Sequence, residues 1–199
     1  MAYLERDGVK ISYSDEGSGL AMLLSHGYSA TADMWRGQVA ALKDRFRVIT
    51  WDMRGHGQTD CPADPSLYSE QATVEDMAAI LRACGLQKAV MAGLSLGGYM
   101  SLAFNVAHPE MVRALMLFDT GPGYRNPKAR DGWNATSEAR AKAFETKGLD
   151  ALGGSAEVRV STHRSAKGLA LAARGMLAQF DSRIIESLDK PRAEVMVDV

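Results

Sequence analysis

The segment KAVMAGLSLGG, residues 88–98, joins an apolar run to a serine flanked by glycines. A strand is predicted over residues 88–94, where a short, continuous apolar run follows Lys88; such a run is typical of a strand buried on both faces of a parallel sheet. A helix is predicted directly afterwards, over residues 96–106, and Pro109 lies just beyond its end. Ser95 is therefore expected in a sharp turn between a strand and a helix, where only small neighbours fit.

This turn matches the pattern Gly-x-Ser-x-Gly at Gly93, Ser95 and Gly97. Such a turn exposes the serine hydroxyl at the carboxyl end of the sheet. The start of the next helix offers backbone N–H groups and a favourable dipole to a developing oxyanion. The alternative is an ordinary glycine-rich turn. The strand before Ser95 and the helix after it favour a nucleophilic serine.

Strands and helices alternate on both sides of this segment. Further strands are predicted at 9–14, 21–24, 46–51 and 112–118, and further helices at 35–42 and 73–84. The run 9–14 resembles an edge strand, and Thr73 to Asp76 matches a capping box. This alternation predicts an α/β fold with a doubly wound, mostly parallel sheet. We expect three parts: a core over 1–121, a helical cap over 122–188, and a final strand or tail over 189–199.

Composition excludes several classes of function. The chain has 199 residues and a net charge of -1, so it lacks the basic excess of a nucleic-acid-binding protein. No apolar run is long enough to span a membrane, and residues 1–10 do not resemble a signal peptide. Cys61 and Cys84 suggest no disulfide framework, which favours a reducing cytoplasm. No metal-ligand spacing and no phosphate or dinucleotide loop appears, so we expect no metal and no cofactor.

Three segments carry a resemblance to a known family: SHGY at 25–28, DMRGHG at 52–57 and GLSLGG at 93–98. Together they resemble the α/β-hydrolase superfamily, in particular its esterase, enol-lactonase and C–C hydrolase branch. The resemblance implies that Ser95 is the catalytic nucleophile. It also implies that the backbone N–H groups of Tyr28 and Leu96 form the oxyanion hole.

The resemblance further implies an acid and then a histidine after the serine. No histidine follows His163, so we expect a C-terminal truncation that removes the last strands and the usual catalytic histidine. Asp119, at the end of the strand 112–118, and Asp198, near the end of the chain, are the candidate acids. The alternatives are a surface turn residue for Asp119 and a frayed terminus for Asp198.

The four histidines lie outside the expected late position. His26 is interpreted as a structural residue that holds its loop through hydrogen bonds; the alternative is a catalytic role in proton transfer. His56 is predicted to be a solvated or hydrogen-bonded loop residue, and His108 to lie at a helix end on the side away from Ser95. No role is predicted for His163. Any base that acts on Ser95 is therefore expected to be non-standard, or to come from another chain.

These observations predict a serine hydrolase that cleaves small carboxylic esters or lactones through an acyl-enzyme at Ser95, with activity reduced by the missing late histidine. Trp133, Phe144 and Met176 of the cap would line an apolar pocket. The alternatives are a non-catalytic binding protein with this fold and an interaction protein that uses an exposed sheet edge. A homo-oligomer is expected because the strand 113–118 would lie near an open edge; the alternative is a monomer whose cap covers that edge.

Overall fold

A computed structural model describes residues 1–188 and the backbone of residues 194–198. Its strands form one seven-stranded sheet in the order β1-β2-β4-β3-β5-β6-β7. The strands are β1 (Ala2–Arg6), β2 (Val9–Glu16), β3 (Leu20–Ser25), β4 (Phe46–Trp51), β5 (Ala89–Leu94), β6 (Val112–Phe118) and β7 (Glu194–Asp198). The helices are α1 (Arg36–Leu42), α2 (Glu70–Ala83), α3 (Leu96–Ala107), α4 (Pro127–Lys147), α5 (Ala156–Arg159), α6 (Ala166–Ala172) and α7 (Arg183–Ser187). The predicted doubly wound α/β fold is confirmed.

The sheet is parallel from β4 to β7 and antiparallel at its other end. There β1 pairs with β2, and β2 pairs with β4. The prediction of an edge strand at 9–14 is wrong, because β1 pairs along the outer side of β2. Asp7 and Gly8, both with positive φ, make the tight hairpin that connects them.

Helices cover both faces of the sheet. α2 and α3 pack with the larger core cluster, which includes Met91, Met100 and Leu115, while α1 lies with the smaller cluster around Trp35. The predicted capping box at Thr73 is wrong. α2 begins at Glu70, three residues before Thr73, because the Ser69 hydroxyl accepts the N–H of Ala72. Thr73 lies inside the helix, where its hydroxyl donates to the Ser69 carbonyl.

Residues 127–187 form a set of helices over the carboxyl ends of the parallel strands. α4 and α6 share a small apolar cluster that contains Phe144 and Leu169. Arg174, in the π-helical turn Ala173–Leu177 after α6, pairs with Glu138 and Glu145 of α4. In the part of the chain that the structure describes, none of the helices combines the length and apolarity that a membrane crossing requires.

Candidate active site

Ser95 occupies a strained turn between β5 and α3. Its φ of 50° and ψ of -113° are rare for a residue with a side chain. Its backbone N–H donates to the Phe118 carbonyl at 3.0 Å, and its own carbonyl accepts the Thr120 hydroxyl at 2.6 Å. The end of β6 therefore holds both polar backbone groups of Ser95, and the turn keeps its geometry.

Two glycines make this turn sterically feasible. A Cβ at Gly93 would collide with the backbone of Gly97, and a Cβ at Gly97 would collide with the Ser25 carbonyl. The turn is thus pressed against the end of β3 as well as against itself. This packing explains the small neighbours that the sequence pattern requires.

The loop after β3 lies directly beside Ser95. A Cβ at Gly27 would be 3.7 Å from the Ser95 Cβ. Within residues 1–188, no acceptor takes the backbone N–H of Tyr28 or of Leu96. The Tyr28 hydroxyl donates to the Leu169 carbonyl at 2.8 Å, and burial raises the pKa of Tyr28. Its side chain is therefore held by the cap, while its N–H stays free for a ligand.

Ser95 lines two cavities of about 340 and 420 Å³. The first holds Ser95 together with Leu96 and Asp119, and the second holds it with Tyr28 and Phe144. The three residues predicted to act together, Ser95, Tyr28 and Leu96, are thus brought to one place. A substrate could reach Ser95 with one part in each cavity.

None of the four histidines is among the described residues that line these cavities. His26, His56 and His163 instead form a buried histidine cluster. The rings of His26 and His56 are tilted with centroids 4.9 Å apart, and those of His56 and His163 meet edge-on with centroids 5.7 Å apart. His108 lies at the end of α3, where it contacts Glu75 at 2.8 Å. His56 is fully buried, so the part of its prediction that placed it in solvent is wrong.

Each ring of the histidine cluster bridges two backbone groups. His26 accepts the N–H of Met53 at 3.0 Å, and its other nitrogen lies 2.8 Å from the Gly27 carbonyl. His163 accepts the N–H of Gly57 at 3.3 Å and contacts the Ser29 carbonyl at 2.9 Å. A ring that accepts at one nitrogen and donates from the other is neutral.

His56, between the other two rings of the histidine cluster, also bridges two backbone groups. It accepts the N–H of Ser29 at 3.2 Å and contacts the Arg54 carbonyl at 3.2 Å. Burial lowers the pKa of His26 and His163, and it lowers the pKa of His56 well below the ordinary value. These rings hold the loop beside Ser95 and have no free nitrogen with which to take its proton.

The two candidate acids lie at the same edge of the sheet. Asp119 follows β6 directly, has a φ of 40°, and lines the 340 Å³ cavity with Ser95. The backbone of Asp198, at the end of β7, pairs with Phe118, the residue before Asp119. The side chain of Asp198 lies outside the described part of the chain.

Two of the three residues predicted to line a pocket do line a cavity. Trp133 lines one cavity and Phe144 the other, as predicted. Met176 is 1% exposed, packs in the main core and is absent from both described linings, so its prediction is wrong. Arg140 was missed. Its signal is its position seven residues after Trp133 and four before Phe144, which places all three on one face of α4.

Comparison with known proteins shows the family of this chain. The family model described as "alpha/beta hydrolase fold" matches residues 21–154, more than half of the chain. A 3-oxoadipate enol-lactonase 1 of Acinetobacter baylyi is 34% identical over 143 residues, which are 72% of this chain and 48% of that protein. A bifunctional epoxide hydrolase 2 of Sus scrofa is 35% identical over 118 residues, which are 59% of this chain and 21% of that protein. The chain thus spans less than half the length of these curated relatives.

A solved structure shows the same fold. An esterase from Exiguobacterium antarcticum superposes with a TM-score of 0.80 at 23% identity, over 96% of this chain and 77% of that one. Its likeness concerns the fold, while the family match covers β3 to β6 and the turn around Ser95. The chain belongs to the α/β-hydrolase fold family.

Proposed function

We propose that this protein hydrolyses small carboxylic esters or lactones through an acyl-enzyme on Ser95. The observation that carries the proposal is the strained Ser95 turn, which lines two cavities and lies beside the free N–H groups of Tyr28 and Leu96. The enol-lactonase and esterase relatives support this substrate class. The matched residues 21–154 include the proposed nucleophile Ser95 and the proposed oxyanion donors Tyr28 and Leu96.

In the first step the Ser95 Oγ attacks the carbonyl carbon, and its proton passes to a base. The carbonyl oxygen becomes an oxyanion, which the N–H groups of Tyr28 and Leu96 would stabilise. The intermediate then expels the alcohol, which takes the proton from the base and leaves an ester on Ser95. Water attacks this ester in the same manner, releasing the acid and restoring the hydroxyl.

The base is the incomplete part of this mechanism. Both ring nitrogens of each residue in the histidine cluster contact backbone groups, and His108 contacts Glu75. Two acidic side chains share a cavity with Ser95: Asp119 lines the 340 Å³ cavity and Glu157 lines the 420 Å³ cavity. Slow turnover is therefore expected, since serine hydrolases with incomplete triads keep about 10³–10⁴-fold catalysis over water.

Turnover of p-nitrophenyl acetate by the purified chain tests the proposal. Ser95→Ala should remove the protein-dependent turnover, whereas Ser66→Ala, in the exposed turn Pro65–Leu67, should leave it unchanged. Equal turnover by both variants would refute a nucleophilic Ser95. Alanine at each histidine in turn identifies any histidine base by a loss of about 100-fold or more.

The alternative function is a non-catalytic protein with this fold that binds or interacts with other molecules. The absence of every histidine from the described cavity linings favours it. A chain without serine-dependent turnover that still binds small esters would support it.

A homo-oligomer in the cytoplasm completes the proposal. β7 is the outermost described strand beside β6, and Met116 and Phe118 are only half-buried on one face of the sheet. An open edge beside apolar side chains favours pairing with a second copy of the chain. Cys61 and Cys84 are free thiols, the state that the cytoplasm maintains. Light scattering after size exclusion should show a dimer or larger; a clean monomer near 21.5 kDa would refute it.

A further inference from the structure

We propose that Arg140 binds an anionic group of the substrate, so that the preferred esters or lactones carry a carboxylate. This proposal rests on the proposed function, because it assigns a substrate class to the cavities around Ser95. Arg140 and Ser95 line the same 420 Å³ cavity. Arg140 is also the one Lys, Arg or His residue among the described residues that line either cavity.

The guanidinium of Arg140 lies between two aromatic rings. Its central carbon is 5.9 Å from the ring centre of Tyr28 and 5.9 Å from that of Trp133. Tyr28 lines one cavity and Trp133 the other, so the charge lies where the two cavities approach each other. Contacts with aromatic faces orient a planar guanidinium but leave its five N–H donors available.

The surrounding acidic residues do not neutralise this charge. Glu138 and Glu145, on the same helix, are both bound by Arg174. Within residues 1–188, Arg140 makes no ion pair and no hydrogen bond. A guanidinium with unused donors in the cavity that Ser95 lines suits a carboxylate, which it binds in a bidentate manner.

Glu157 also lines this cavity and would repel an anion there. It lies on α5, whereas Arg140 lies on α4, and no ion pair joins them among the described residues. The two charges therefore predict opposite effects of substitution. Neutralising Arg140 should weaken anion binding, and neutralising Glu157 should strengthen it.

The test compares two ligands that differ by one charge, monomethyl glutarate and its neutral dimethyl ester. Titration calorimetry on Ser95→Ala measures binding without turnover, so the result does not depend on catalysis. We expect the monoanion to bind more tightly. Adding Arg140→Gln should weaken its binding by about 10- to 100-fold, the range for a hydrogen bond to a charged group, and should leave the diester nearly unaffected.

Three further variants complete the experiment. Glu157→Gln should strengthen binding of the monoanion, and Arg140→Lys should keep part of the preference. Lys142→Gln removes one positive charge from the same helix at a residue that lines neither described cavity. The binding of both ligands should therefore stay unchanged in this variant. Equal binding of both ligands, an equal loss of both in Arg140→Gln, or no binding of the monoanion at millimolar concentration would each overturn the proposal. A retained preference for the anion in a chain without ester turnover would support the anion site and refute the proposed hydrolysis.

Discussion

The histidine cluster predicts that the free energy of unfolding falls steeply in mild acid. In the folded chain His26, His56 and His163 are neutral, because each accepts a backbone N–H at one ring nitrogen. Burial lowers the pKa of all three. In the unfolded chain each ring has its ordinary pKa near 6.5 and takes up a proton below that pH.

The magnitude follows from these bound protons. Unfolding takes up protons below about pH 6.5, so stability is complete above that value and falls as the pH falls. Each fully depressed histidine removes about 1.4 kcal/mol from the free energy of unfolding between pH 7.5 and 5.5. His56, whose pKa lies well below the ordinary value, contributes about this much, and His26 and His163 contribute at most as much each. The three rings together therefore remove up to about 4 kcal/mol, a large part of the 5–15 kcal/mol typical of a domain.

Urea unfolding followed by circular dichroism at pH 7.5, 6.5 and 5.5 measures this loss. His163→Gln removes one titrating ring, so the change in the free energy of unfolding between pH 7.5 and 5.5 should shrink by up to about one third. His108→Gln leaves the histidine cluster intact, so it should retain the decrease in the free energy of unfolding that the cluster causes. A free energy of unfolding that stays constant between pH 7.5 and 5.5, or an unchanged pH dependence in His163→Gln, would refute the reasoning.

Two further substitutions test other contacts. Asp76→Ala leaves the guanidinium of Arg54, which is 1% exposed, without its main partner and should lower the free energy of unfolding by about 3–5 kcal/mol. In contrast, Asp15→Ala breaks a partly exposed pair with an arginine and should lower it by less than about 1 kcal/mol; similar losses in both variants would contradict this. Gly97→Ala forces a Cβ into the Ser25 carbonyl and should lower that free energy by about 1–3 kcal/mol and reduce ester turnover. Unchanged stability and turnover in Gly97→Ala would contradict the packing of this turn.

β3 to β6 were predictable from sequence because each is short and rich in apolar residues. β4 and β6 match their predicted ranges, and β3 and β5 differ by a residue at one or both ends. β1 was missed because it has five residues that alternate between half-buried and exposed, so its apolar signal is weak. The Asp-Gly turn after it was the available clue.

Local patterns failed where two solutions compete within one turn of helix. The Thr73 to Asp76 segment satisfies the capping-box pattern, yet the helix begins at Glu70. Ser69 caps it without an acidic residue at the third helical position, and so escapes that pattern. The site shows the same limit, since the position of Ser95 follows from local sequence, whereas that of Arg140 depends on how α4 lies over the core.

Several hydrogen bonds join the cap to the loop after β3 that carries Tyr28. The Tyr28 hydroxyl binds the Leu169 carbonyl, and His163 joins the Ser29 carbonyl to the N–H of Gly57. Arg164 adds contacts to the carbonyls of three consecutive residues, 57–59. Lifting the cap would break these bonds and release the loop that orients the Tyr28 N–H. Substrate that enters through the two cavities would leave these bonds intact, so the Tyr28 N–H would keep the position that the proposed function requires.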